Sequence, residues 1–179
     1  MDHFEGIIKT ILEQEGYWVR QSFKVNLTKP EKRTLGKHSM PRPEIDLLLF
    51  KPTLNRIIVL EVKSFLDSTG VKLDDLMVSY KEPTGRYKQF TCSIYRRIVF
   101  NRLREDLKEC GMASGHEEFQ LGLAAGKIYK NQSDEIAELF HKKGWLFLPP
   151  HYIRSKLMSL ARKGYQNDAA FLAAKVLDT

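Results

Sequence analysis

A chain of 179 residues suffices for one domain with a well-filled core, and 42% hydrophobic with 28% charged residues excludes long disordered segments. No apolar run approaches the roughly 20 residues of a membrane span. The acidic, amphipathic start MDHFEGIIKTILEQEG is unlike a signal peptide, so a cytoplasmic protein without a membrane partner is expected. Lysine and arginine exceed aspartate and glutamate by 29 to 22, giving a net charge of +7, which suits a polyanionic partner such as nucleic acid and equally a solvated basic surface with no partner.

In chain order, residues 2–15 place Phe4, Ile7, Ile8, Ile11 and Leu12 at helical spacing, with Gly16 closing an amphipathic helix. Residues 17–25, YWVRQSFKV, have strand composition. Residues 26–42 are polar, basic and broken by proline and glycine, the pattern of a loop, either solvated or against phosphate. Two apolar strands follow, EIDLLLFK and RIIVLEVKS, joined by Pro52–Asn55. A polar stretch, 67–86, holds a short helical piece around VKLDDLMVSY. Residues 87–109 read as one long helix with Phe90, Ile94, Ile98, Leu103 and Leu107 on one side and Arg96, Arg97, Arg104 and Lys108 on the other. A strand over 119–129, a helix from Ser133 to a terminal glycine, with Ser133 as the capping residue, and a strand 145–150 complete residues 1–150. Residues 151–179 form a helical extension of the same domain, broken near GYQND.

Cys92 and Cys110 would stand about 27 Å apart along one continuous helix, well beyond disulfide reach. The element order predicts an α/β fold, a single mixed β-sheet flanked by helices on both faces.

The charges in the two central strands are the chemical clue. With a four-residue connection Lys51 lies opposite Arg56, which sets Asp46 against Glu61 and Glu44 against Lys63. All four point to one face, which Leu48, Phe50, Ile57 and Val59 continue as apolar. Apposed carboxylates repel and resist burial unless a cation joins them. Oxygen ligands suit Mg²⁺ or Mn²⁺, and no His/Cys spacing suits zinc. Lys63 beside them would orient water or stabilise charge developing at a phosphoryl group. The alternative is a cross-strand ion-pair cluster, Glu44 with Lys63 and Glu61 with an arginine.

EID on one strand and EVK on the next resemble the PD-(D/E)xK signature of the restriction-endonuclease-like superfamily, with Ile45 where the name has proline. An initial helix, a motif-bearing hairpin, a helix and a further strand also match that superfamily's αβββαβ core. The resemblance implies metal-dependent hydrolysis of phosphodiester bonds, usually in DNA, with Asp46 and Glu61 as Mg²⁺ ligands and Lys63 as the catalytic lysine. It offers Glu5 as a further catalytic acid from the first helix, against a solvated first-turn acid favoured by the helix dipole. Gln89 is a weak match to the glutamine or basic residue that members often carry on the following helix; a surface glutamine is the other reading. Phosphate contacts are expected among Arg96, Arg97, Arg104, Lys29, Lys32, Arg33, Lys37 and Gln89, with Lys156, Arg162 and Lys163 in the tail. The resemblance also raises a homodimer, with the tail as contact. The rival reading is a non-catalytic DNA-binding or protein-binding module on the same fold.

Overall fold

The first helix starts where the sequence supplies a cap. The Asp2 carboxylate accepts the Phe4 N–H at 2.8 Å, and α1 (His3–Gln14) follows, burying Ile8, Ile11 and Leu12. The computed structural model describes residues 2–178. Five strands, β1 (Trp18–Lys24), β2 (Glu44–Lys51), β3 (Arg56–Lys63), β4 (Glu118–Ala125) and β5 (Leu146–Leu148), form one sheet in sequence order. The first three are antiparallel, and β4 and β5 join in parallel, so the sheet is mixed and the fold α/β.

The expected loop 26–42 contains a helix, α2 (Lys29–Thr34). Thr28 and Glu31 form a capping box and Pro30 sits in the first turn, signals outweighed in the sequence by the segment's overall polarity. Further on come α3 (Leu73–Met77), α4 (Lys88–Thr91) and α5 (Ser93–Glu109). The expected single helix 87–109 is therefore two, because Cys92 adopts extended backbone (φ −122°, ψ 103°). The break resets the helical phase. Tyr95, Val99, Leu103 and Leu107 face the core, while Ile94 is exposed. Cys92 and Cys110 end up flanking α5, and both are free thiols.

β4 ends at Ala125, earlier than expected. Next, α6 (Ser133–Lys143) has Gln132 at its N-cap position with no side-chain capping bond, and the expected cap Ser133 is its first helical residue. Pro150 does not stop a strand so much as start a helix, α7 (Pro150–Ala161), since proline fits the first helical turn. The break at 162–168 precedes α8 (Ala169–Leu177), capped by Asp168.

Strand alternation divides the core in two. Ile57, Val59, Leu121 and Leu123 face the layer of α4, α5 and α6, centred on Phe90, Tyr95 and Phe140. Leu47, Leu49, Ile58 and Leu60 face α1, α7 and α8, centred on Ile8, Leu12 and Phe171. Both sheet faces are covered, which explains the near-continuous apolar runs of β2 and β3. No helix among the described residues is long and apolar enough to cross a membrane.

Candidate functional site: a split in the sheet

The hairpin register is the expected one near the turn. Pro52–Leu54 form a tight helical turn, Asn55 adopts left-handed backbone, and pairing runs from Lys51–Arg56 to Leu47–Leu60. There the β2–β3 ladder stops. Each strand stays paired with its outer neighbour, β2 with β1 as far as Glu44 and β3 with β4 as far as Lys63, so the sheet opens between its two central strands. Asp46 and Glu61 thus flank the opening instead of forming a ladder pair. The amide of Val62 donates to Asp46 Oδ2 at 2.7 Å, so the carboxylate occupies the space where backbone pairing ended.

The partners of the remaining charges differ from both arrangements expected of them. Lys63 reaches back along its own strand to donate to Glu61 Oε1, and Glu44 pairs with Lys24 at 3.9 Å. Glu44 therefore does not meet Lys63, nor Glu61 an arginine. The reason is the opening itself, which removes the cross-strand neighbour at that level.

Opposite Asp46 on β1 stands Ser22, between the pairs Gln21–Leu47 and Phe23–Ile45. Its φ of 55° is left-handed, a conformation that disfavours any residue with a Cβ. Asp46 thus sits between a strained residue of β1 on one side and the end of the β2–β3 ladder on the other, and local strain of this kind clusters at functional sites. Below the site, Gly126 donates its N–H to the Lys63 carbonyl at 2.8 Å, and a Cβ there would lie 2.5 Å from the Ser64 carbonyl oxygen. The β3 end is held in place by a close approach only glycine permits.

Glu5 comes from α1 to the same corner. Its carboxylate accepts from Gln21 Nε2 at 2.9 Å, and it is half-buried rather than freely solvated. Burial raises the pKa of Glu5, reinforced by the negative charges of Asp46, Asp2 and Glu44 and opposed by the Gln21 bond. Burial likewise raises Asp46, against the Val62 N–H and Lys63. For Glu61 burial and then the charge of Asp46 raise the pKa, with Lys63 and Lys88 opposing. Asp46 is thus the carboxyl common to both sides, felt by Glu5 on one and by Glu61 on the other.

Asp46 Oδ1 and Glu61 Oε2 accept no hydrogen bond from the described residues, which leaves one free oxygen on each side of the opening. That donor set fits a hard divalent ion completed by water or substrate oxygens. Among the described residues, no three His, Cys, Asp or Glu side chains stand close enough to hold an ion as they are.

Gln89 is buried, at 5% exposure, with its Oε1 unpartnered, so the surface reading of this residue is overturned. The turn of α4 carries its side chain inward. Gln21, Asp2, Tyr87 and Tyr95 were not singled out by sequence. The last two are buried phenols whose pKa burial raises, with the charge of Glu61 adding to it. Gln21 had a signal: it interrupts the half-buried side of β1 between Val19 and Phe23.

The expected phosphate contacts separate into groups. Arg96, Arg97 and Arg104 line one groove along α5. Lys29, Arg33 and Lys37 are exposed on or near α2, with Lys32 half-buried. Lys156 pairs with Glu15 at 2.6 Å and Lys163 bonds Gln14, so these tail cations serve the α1 layer.

No protein-family model matches the chain, and no curated protein matches it in sequence. Among solved structures it is similar to the crystal structure of AF1548, a protein of unknown function, with a TM-score of 0.44 and 12% identity over 97% of this chain and 73% of that one.

Proposed function

We propose that the protein is a metal-dependent nuclease that hydrolyses phosphodiester bonds in DNA, a member of the PD-(D/E)xK group. The observation that carries this reading is the split between β2 and β3, where Asp46, Glu61 and Lys63 gather with Glu5 and leave free carboxylate oxygens on both sides. A sheet built only for stability would continue its ladder there.

In this reading Asp46 and Glu61 hold Mg²⁺ or Mn²⁺, which when bound supplies Lewis-acid activation of the phosphoryl oxygen and of water. Val62 fixes the Asp46 carboxylate through its N–H. Lys63, which donates to Glu61, is the ammonium that would orient the attacking water or stabilise the charge developing on the phosphoryl group. Glu5, steadied by Gln21, accepts a proton or orients a water at the edge of the opening.

The Lys63–Glu61 ion pair, with no three-acid cluster among the described residues, favours a second reading, a nuclease-like module that binds DNA or protein without cutting. One experiment separates them: supercoiled, linear, branched and single-stranded DNA incubated with Mg²⁺ or Mn²⁺, comparing wild type, Asp46→Ala and Lys63→Ala. Cleavage by wild type alone is the expected result. Equal cutting by all three removes the assigned site, and binding without cutting by all three establishes the module.

A further inference from the structure

Away from the split in the sheet, α5 borders a groove of about 430 Å³ against the start of β4 and the turn before β5. Its lining includes Arg96, Arg97, Arg104 and Lys143 and no acidic side chain. None of the four cations forms an ion pair among the described residues.

Two of these cations are fixed in place. Arg96 lies over the Trp145 ring at 5.3 Å and donates to the Gln89 and Phe90 carbonyls. Arg104 lies over Phe119 at 4.8 Å and donates to the Glu117 carbonyl, while its buried Nε has no partner. Stacked guanidiniums lose little further freedom when they bind an anion. Arg97 and Lys143 are exposed and free to meet one.

We propose that this groove is a second anchor for nucleic acid, gripping the phosphodiester backbone at a distance from the acids. A single small anion would require the cations to converge. Here Arg96 and Arg104 are eight residues apart, about 12 Å along the helix, which suits a chain of phosphates. Phe119 in the groove lies four residues before Leu123, the β4 partner of Glu61, or about 13 Å along the strand. The identity of what lies at the acids rests on the nuclease reading; the groove's affinity does not.

The test is therefore binding without cleavage. A short labelled DNA duplex is titrated by fluorescence anisotropy in EDTA across a series of KCl concentrations. Arg97→Gln combined with Lys143→Gln should flatten the slope of log affinity against log salt by about 1.8, two phosphate contacts at about 0.9 each. Lys9→Gln combined with Lys175→Gln, a matched loss of charge on α1 and α8, should leave the slope unchanged. Equal slopes for wild type and the groove variant overturn the proposal, as do equal changes in both variants. Displacement of the duplex by polyglutamate as effectively as by unlabelled duplex assigns the groove to an acidic protein and overturns it too. Loss of Mg²⁺-dependent cutting with retained groove-dependent binding would count against the nuclease reading alone.

Discussion

The two ends of the β2–β3 hairpin are made from the same two strands and behave in opposite ways. At the turn end every residue from Leu47 to Lys51 finds its cross-strand partner, and Leu47, Leu48 and Leu49 are buried against Leu60, Val59 and Ile58. At the other end the ladder stops, the strands part, and carboxylates occupy the gap. Burial that stabilises Leu49 and Leu60 raises the free energy of Asp46 and Glu61. A strand pair can thus carry stability at one end and stored electrostatic cost at the other.

Substitution at each end should break a different property. Asp46→Asn keeps an oxygen for the Val62 N–H but removes the charge, and Glu61→Gln does the same across the opening. Both should reduce Mg²⁺-dependent cleavage by about a hundredfold or more and at the same time raise the Tm measured in EDTA. Leu49→Ala, at a fully buried turn-end position, should do the reverse: a loss of about 2–5 kcal/mol in urea unfolding, with cleavage per folded molecule retained. Unfolding midpoints and single-turnover rates on the three variants decide it. A drop in stability at Asp46→Asn equal to that of Leu49→Ala would erase the distinction between the two ends.

Divalent ions should act only at the open end. At a concentration 100 times its Kd, Mg²⁺ should stabilise the wild type by about 2.7 kcal/mol, and Glu61→Gln should show little of this in a thermal shift.

The pH response has the same origin, with a definite sign. Glu5, Asp46 and Glu61 have folded pKa values raised above their unfolded ones, so the folded state binds protons more readily between the two values. Their contribution to stability is therefore fully present below the ordinary carboxylate range and is lost as pH rises through the raised values. Glu117 runs the other way. Burial opposes its ionisation, but the Ser114 and Gly115 N–H groups and the Ser114 hydroxyl outweigh it and bring its pKa to about 2. Its contribution is lost as pH falls from the ordinary range toward that value. Comparing Tm against pH for wild type and Glu61→Gln in EDTA isolates the first effect: the wild type should lose stability with rising pH more steeply.

How far this contrast was legible in the sequence follows from which interactions are local. The turn at Pro52–Asn55 and the alternation of β2 and β3 set the register correctly, because period and loop length are written in adjacent residues. The split was not legible, since it depends on β1 and β4 holding the two strands apart, and those pairings join distant parts of the chain. The same limit hid the neighbours of Glu61. Tyr95 turns inward only because Cys92 interrupts the helix, and an apolar stripe counted across that residue places Ile94 inside instead. Gln21 and Glu5 were each visible on their own elements, but their bond joins α1 to β1.

The smallest expected effect concerns the backbone opposite Asp46. Ser22 pays a left-handed penalty of about 1–2 kcal/mol, which glycine would relieve, while glycine itself costs about 0.5–1 kcal/mol in chain entropy. Ser22→Gly should therefore change stability by about 1 kcal/mol or less, in the stabilising direction, as a shift in urea midpoint with unchanged slope. Its effect on cleavage is the sharper reading. If the strained turn serves only to let β1 follow the bend of β2, glycine fits the same φ and activity stays within about twofold of wild type. If the Ser22 conformation holds Asp46 against Val62, the added freedom loosens that contact and the rate falls while stability does not. The open end of the hairpin would then be shaped from β1 as well as from its own two strands.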